Sequence, residues 1–502
     1  MQRSNRVWFS KVAPWSDRIG AGGLVGAGLS LSLFVLSCGN GSLVIHTPPP
    51  SGNFTNASLS GQYAYALSGS AIVPGTSTSA FYAEAGVFTA DGNGHLTNGT
   101  DDFGQDGKFA SNPFTGSYTL NRDGTGTMTL VFSSGSGSIQ LGLTLVNSSQ
   151  FYLIETDSFA TGGGSAEKQD PSAFSVAPSG TFAFGMHSTG ASSHAGAMTI
   201  AGGTITGSED VIAGAGLSSP TLSGTVSAAL TNGRGTLTLT NSSGTNSNFA
   251  YYVVSANTLR LMQTDMGVLA LGRAEKQTTT SFSPASLTGS FVFGSNGDTA
   301  TIGGIHSAGV FTSDGNGNLT AGSYDSVRDF SQTTNVGLTG SYRMSSAGRA
   351  TLTLNLQNGI AIQEVFWMVS PSRGFLVVDD ASRLEDGTLD RQQSSSFSAS
   401  SLNGQFALVM DGFDSSSCVD RVGTLQTDGK GNLSLNELLN RGGVVSAPGL
   451  LPGTYTVSSN GRVGGSVSSL SNNLVFYMIS GNSGYLLQND AGAEIAGTSA
   501  HQ

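Results

Sequence analysis

Carboxylates recur along this chain at matched places, and they are the first residues to weigh for chemistry. One set is Asp102, Asp210, Asp325 and Glu437, and a second is Asp157, Asp265, Asp380 and Asp490. Two carboxyls per segment could form a glycosidase pair, one as acid and the other as base or nucleophile. Nothing in the spacing brings the two sets together. The plainer expectation is that the second set caps strand ends and the first faces solvent or a barrel mouth. Asp91-Gly92-Asn93-Gly94 and Asp314-Gly315-Asn316-Gly317 offer side-chain oxygens at alternate positions, as a calcium loop does. A third ligand and a closing glutamate are missing, and Lys430 replaces the asparagine in a later copy, so hairpin turns account for all copies. The histidines are His46, His95, His187, His194, His306 and His501, and none recurs at a matched place or accompanies a G-x-S-x-G elbow. His187 and His194 could share a metal across a loop, but a third ligand is lacking. The two cysteines, Cys38 and Cys418, cannot make a Cys-x-x-C metal site. These residues predict no catalytic centre, no metal site and no cofactor.

The elements that would position such groups repeat four times. The pattern G-x-[FY]-x-[FL] opens at Gly61, Gly180, Gly289 and Gly404, spaced 119, 109 and 115 residues apart. Each unit then carries a turn motif such as GVFTADGNGHLT from Gly86 or GVFTSDGNGNLT from Gly309. A segment like GSYTLNRDGTGTMTL from Gly116 follows, then an apolar run ending in Asp. The first two units close with AEKQ, at Ala166 to Gln169 and Ala274 to Gln277, and the third with DRQQ. Alternating apolar and polar residues rich in Thr, Val, Tyr and Phe predict half-buried strands. The Asp-Gly and Asn-Gly pairs predict tight hairpins, because these residues tolerate positive φ. The first unit divides into eight strands, over 61–68, 81–90, 95–104, 114–121, 125–133, 138–147, 150–157 and 163–169. No stretch has helical periodicity. Consecutive short hairpins favour an all-β fold of four up-and-down, lipocalin- or streptavidin-like barrels of about eight antiparallel strands each. β-Sandwiches, which need long crossing connections, are the alternative. The units are 57–176, 177–284, 285–399 and 400–502.

Strands 249–254, 365–369 and 474–479 are apolar on both faces, so neighbouring units or another protein must cover them. A self-closing barrel would fold alone as a separate bead, whereas covered outer faces would make the repeats share a core. Trp8 and Trp15 lie in the N-terminal segment, leaving Trp367 within one of these strands. A tryptophan platform for carbohydrate is therefore disfavoured, with Tyr251, Tyr252 or Tyr477 as possible substitutes.

The 502-residue chain has 72 glycines, only 11% charged residues and a net charge of −11. Such an acidic balance disfavours nucleic acid, whose binding rests on Lys and Arg. Arg3, Arg6, Lys11 and Arg18 precede an uncharged run from Ile19 to Ser37, the layout of an export signal over 1–37. The run ends Val35-Leu36-Ser37-Cys38-Gly39, which resembles the lipobox of bacterial lipoproteins, and the resemblance implies acylation of Cys38. Ordinary signal-peptidase cleavage and an uncleaved anchor are the competing readings. Gly39 rather than Asp after the cysteine resembles an outer-membrane address. A Pro- and Gly-rich linker follows to residue 56. Over 57–499 the FTADGNGNLT-like turns and Gly-, Ser- and Thr-rich strands resemble uncharacterised exported lipoproteins of soil bacteria. That resemblance implies strands and turns and no particular activity.

The expectation is a lipid-anchored cell-envelope protein, non-enzymatic, acting as a structural, adhesive or binding scaffold. Its partners would be the membrane through the lipid and, beyond it, a surface glycan, a protein or a small apolar ligand. A secreted form is the alternative location. The alternative function is a carrier holding small apolar ligands or glycans between rings such as Tyr63, Phe182, Phe291 and Phe406.

Overall fold

In the first strand, Ser60–Ile72, Tyr63, Tyr65 and Leu67 alternate with Ala64 and Ala66, so large side chains point one way and small ones the other. The large ones fill a barrel, and the small ones admit a neighbour. A computed structural model describes residues 52–502 apart from 74, 75, 77, 134, 136, 189–191, 300–303, 381 and 468–471. The export signal, Cys38, His46 and most of the linker lie outside the described residues.

The first barrel consists of Ser60–Ile72, Ser79–Asp91, His95–Gln105, Lys108–Leu120, Thr125–Phe132, Ser138–Asn147, Gln150–Glu155 and Ala160–Lys168. Each strand pairs antiparallel with the next and the eighth returns to the first, Tyr63 opposite Lys168. This is the up-and-down barrel and not the sandwich. The third unit, Thr288–Thr299 through Arg383–Arg391, closes in the same way. The second and fourth also close, but their fourth strand is broken into Gly216–Ser218 and Thr221–Val226, and into Val444–Ser446 and Leu450–Val457. Pro220 and Pro448 sit in the gaps, where the missing N–H cannot serve the ladder. Both pieces pair with the unbroken third strand.

Each barrel interior is filled by its own side chains. Tyr63 stacks on Phe88 at 5.7 Å and meets Phe151 edge-on at 5.6 Å, while Phe291 stacks on Phe311 at 6.0 Å. Phe182 and Phe406 are likewise fully buried in their cores.

The outer faces are not free. The first and second strands of each unit present small residues to the sixth and seventh strands of the next. Ala64, Ala83, Ala85 and Val87 pack on Ala250, Tyr252, Val254 and Met262. Ala183, Ala195, Ala197 and Ile212 receive Val365, Trp367, Val369, Phe375 and Val377. Val292, Ala308 and Val310 receive Val475, Tyr477 and Leu487. Unit four then returns to unit one, Ala407, Val409 and Val422 packing on Val146, Tyr152 and Ile154. The four barrels form a head-to-tail cycle that closes, so no copy of this surface is left open. The two-sided strands are thus covered within the chain, and the separate-bead arrangement does not hold.

Candidate functional site

The recurrent acids of the third strand do not face solvent or a barrel mouth. They are buried between barrels, because a residue pointing out of one barrel here points into the next. Asp102 accepts from Arg234 Nε at 2.6 Å and from the Tyr252 hydroxyl across the first junction. Asp210 takes a bidentate pair from Arg349, both at 2.7 Å, and the Trp367 indole N–H at 2.8 Å. Asp325 takes Arg462 at 2.7 and 2.6 Å and the Tyr477 hydroxyl at 2.5 Å. Each acid is held by a cation and an aromatic donor of the following unit, although Asp102 uses only Oδ2 and leaves Oδ1 buried without a partner. Burial drives the Tyr477 phenol well above its ordinary range, and Asp325 adds to this, so it keeps the proton it donates to Asp325, while Ser323 Oγ lies 3.2 Å from the same phenol oxygen.

The fourth junction lacks this clasp. Thr125 and Thr144 stand where the other units carry Arg and Tyr or Trp, and Glu437 pairs with Arg421 of its own barrel at 2.9 Å. Thr144 Oγ1 is buried without a partner. Amides do the joining instead. Asn440 Nδ2 donates to Glu155 O and Ala160 O, both at 2.8 Å.

The repeated unit ends hold all four junctions. Gln169 Nε2 donates to Val253 O at 2.7 Å, Gln277 to Met368 O at 2.8 Å and Gln392 to Met478 O at 2.8 Å. Gln502 repeats the contact on unit one, donating to Leu145 O at 2.6 Å and Asp123 O at 3.0 Å. The acid two residues earlier adds ion pairs. Glu167 meets Arg260 and Arg273 of unit two, and Glu275 meets Arg373 of unit three at 2.8 Å. Burial opposes charge on Glu167, but the two guanidiniums overcome it and hold its carboxyl at about 2.

Inside the cycle the four first strands line a cavity of about 440 Å³. Counting seven residues from each opening glycine gives Ser68, His187, Asn296 and Asp411, and all four border this space. Equivalent positions of the four repeats thus meet with four different chemistries. His187 Nδ1 lies 2.7 Å from Asp386 and Nε2 3.7 Å from Asp298. Burial would lower its pKa, yet the two carboxylates raise it to about 10, so it is an imidazolium at neutral pH. His306 bonds Asn296 Oδ1 through Nδ1 at 3.0 Å, and burial lowers it to about 4, leaving it neutral. Asp411 stands directly opposite Asp420 in the adjacent strand. Burial lifts Asp411 to about 6 against the pull of His187. Burial and then the Asp411 charge push Asp420 well above the carboxylate range. Phe81 and Phe413 meet edge to face at 6.3 Å on the wall.

The remaining predicted residues fall apart from this cavity. Asp157, Asp265 and Asp490 cap the start of the sixth strand, accepting from the backbone N–H of Gln140, Asn248 and Asn473. Asp380 instead binds Ser382 N and Oγ. The two recurrent acid sets thus have different partners, the first at the junctions and the second at strand starts and turns. In the turns, Asp91 Oδ1 accepts from Asn93 N and His95 N, and Asp314 Oδ1 from Asn316 N and Asn318 N. His194 contacts Glu209 at 3.0 Å while His187 contacts unit three, so the two do not converge on one point. His501 packs edge-on against Phe406 at 5.1 Å. Tyr251 donates to Ser227 O inside its barrel. Cys418, a free thiol, borders the axial cavity. Among the described residues no group of three or more His, Cys, Asp or Glu could hold a metal ion, and no helix is long and apolar enough to cross a membrane.

Sequence reasoning missed the clasp arginines and the gathering of the four first-strand positions. A signal for the arginines existed, Gly233-Arg234, Gly348-Arg349 and Gly461-Arg462 against Gly124-Thr125. No protein-family model matches the chain, and no curated protein sequence matches it.

Proposed function

We propose that this protein is a lipid-anchored component of the bacterial cell envelope whose closed cycle of barrels is a rigid structural, adhesive or binding scaffold without catalysis. The observation that carries the scaffold reading is the use of Asp102, Asp210 and Asp325, the acids that recur most regularly, as clasps between barrels. Groups locked in buried ion pairs across a junction are spent on architecture. The anchor rests on the sequence, where a charged leader and an apolar run end in Val35-Leu36-Ser37-Cys38 ahead of a Pro-rich spacer. The likeness to exported lipoproteins of soil bacteria supports the same assignment, and Gly39 supports the outer membrane. Globomycin, or Cys38→Ala, is expected to block processing and change membrane partition. Unchanged partition of the variant would remove the anchor. A screen of esterase and glycosidase substrates is expected to give no turnover.

Ligand carriage is the second reading. The filled interiors around Tyr63, Phe182, Phe291 and Phe406 favour the axial cavity over the barrels as its place.

A further inference from the structure

Asp411 and Asp420 oppose each other across a strand pair, an arrangement that costs stability when both are charged. Asp420 is 3% exposed and its Oδ2 has no hydrogen-bond partner. Among the described residues no lysine or arginine borders the cavity, and the His187 imidazolium is already engaged by Asp386 and Asp298. A buried carboxyl left in this state calls for a countercharge or a proton. A metal ion is poorly served, since no three ligating side chains converge among the described residues and the space is far larger than an ion. An alkylammonium fits better. It needs a few oxygen acceptors for its N–H groups and apolar or aromatic walls for its stem, and Phe81 and Phe413 stand on the wall where a ring face attracts a cation. Glycines such as Gly163, Gly412 and Gly497 line the same space and bring backbone within reach.

We propose that the axial cavity binds a small aliphatic amine as its ammonium form, held between Asp411 and Asp420 and against the Phe81 and Phe413 rings. The site goes beyond the scaffold reading and does not depend on it, because membrane partition is untouched by either result. The titratable groups facing Asp420 are Asp411 and Cys418 of its own unit and Glu155 and Tyr82 of unit one, with His187 facing Asp411. Burial favours the protonated form of Asp420, so an ammonium that pairs with its carboxylate releases a proton. No covalent bond changes.

The test is calorimetric titration of the full chain with 1,4-diaminobutane, with butane-1,4-diol as the neutral analogue and calcium chloride as the inorganic control. Each titration is run near pH 7 in two buffers of different ionisation heat. The diamine is expected to saturate one site with proton release, and neither the diol nor calcium to bind there. Asp420→Asn and Asp411→Asn, each checked for intact thermal unfolding, are expected to weaken the diamine roughly tenfold or more, the effect of about 1.4 kcal/mol. Should either variant fail to fold, Phe413→Leu is the second variant, with a smaller expected loss. No diamine binding, equal binding of the diol, binding of calcium in its place, or a diamine affinity unchanged in Asp420→Asn would each overturn the proposal.

Discussion

Three junctions of the cycle are clasped by a buried acid, an arginine and an aromatic donor, and the fourth, which joins unit four back to unit one, is not. At the third junction Asp325 gathers Arg462 and Tyr477 across the boundary. At the fourth, Glu437 turns inward to Arg421, and Thr125 and Thr144 offer nothing in return. The apolar packing is nevertheless present at all four. The cycle is thus driven shut by burial of small-on-large faces, while the charge clasps fix the register of units that are neighbours in sequence. Closure between units far apart in sequence relies on apolar contact and amides.

Breaking a clasp gives the largest expected effect. Asp325→Ala strands a guanidinium and a phenol in a dry junction and should cost about 3–5 kcal/mol, measured by denaturant unfolding. Thr125→Ala, at the place the clasp arginine holds in the other three junctions, should cost well under that. Equal losses would erase the distinction.

A second contrast lies inside the barrels. The first holds Glu84, Asp101 and Glu155 buried, with Tyr65 on Asp101 and Tyr82 on Glu155, whereas the third places Arg383 beside Glu385. Burial raises Asp101 to about 7 and Glu155 to about 8, above their unfolded values near 4. Between those limits the folded state binds more protons than the unfolded one, so stability falls as pH rises from about 5 to 8. The slope is on the order of 1.4 kcal/mol per pH unit for each group that keeps its proton only when folded. Glu155→Gln should flatten it, and melting curves across that range check both. A smaller effect is expected from Gln502→Ala, which takes the amide donor from the Leu145 carbonyl while Asp123 O keeps Gln405 Nε2, and should cost about 1–2 kcal/mol in the same assay. The smallest has the opposite sign. Thr144→Val removes the unpartnered hydroxyl and should stabilise by about 1 kcal/mol, while Tyr477→Phe at the clasped junction should destabilise by a similar amount.

Strands and turns were legible because they are local. Alternation in Gly61 to Leu67 and the Asp-Gly pairs place the hairpins to within a few residues, and the strand ends at Asp157, Asp265 and Asp490 follow from the same pattern. The third-strand acids were legible as a recurrence but assigned the wrong surroundings. The direction of a side chain out of a barrel is fixed by period two, and what waits outside is a tertiary fact. Two-sided strands such as 365–369 did announce a covered face, and Trp367 with Asp210 shows what covers it. The axial positions were illegible for another reason. Ser68, His187, Asn296 and Asp411 share a place but no chemistry, so repetition, the strongest signal in this chain, passes over them.

Closure of the cycle lays unit four on unit one. Phe413 and Phe81 are far apart in sequence and 6.3 Å apart between ring centroids only because the cycle closes. Replacing Phe413 with the photoreactive analogue p-benzoylphenylalanine, irradiating dilute protein and mapping the linked peptides by mass spectrometry tests this contact directly. An intramolecular, concentration-independent link to the strand Ser79–Asp91 is expected. Links confined to unit four, or links to unit one that appear only between molecules, would contradict it.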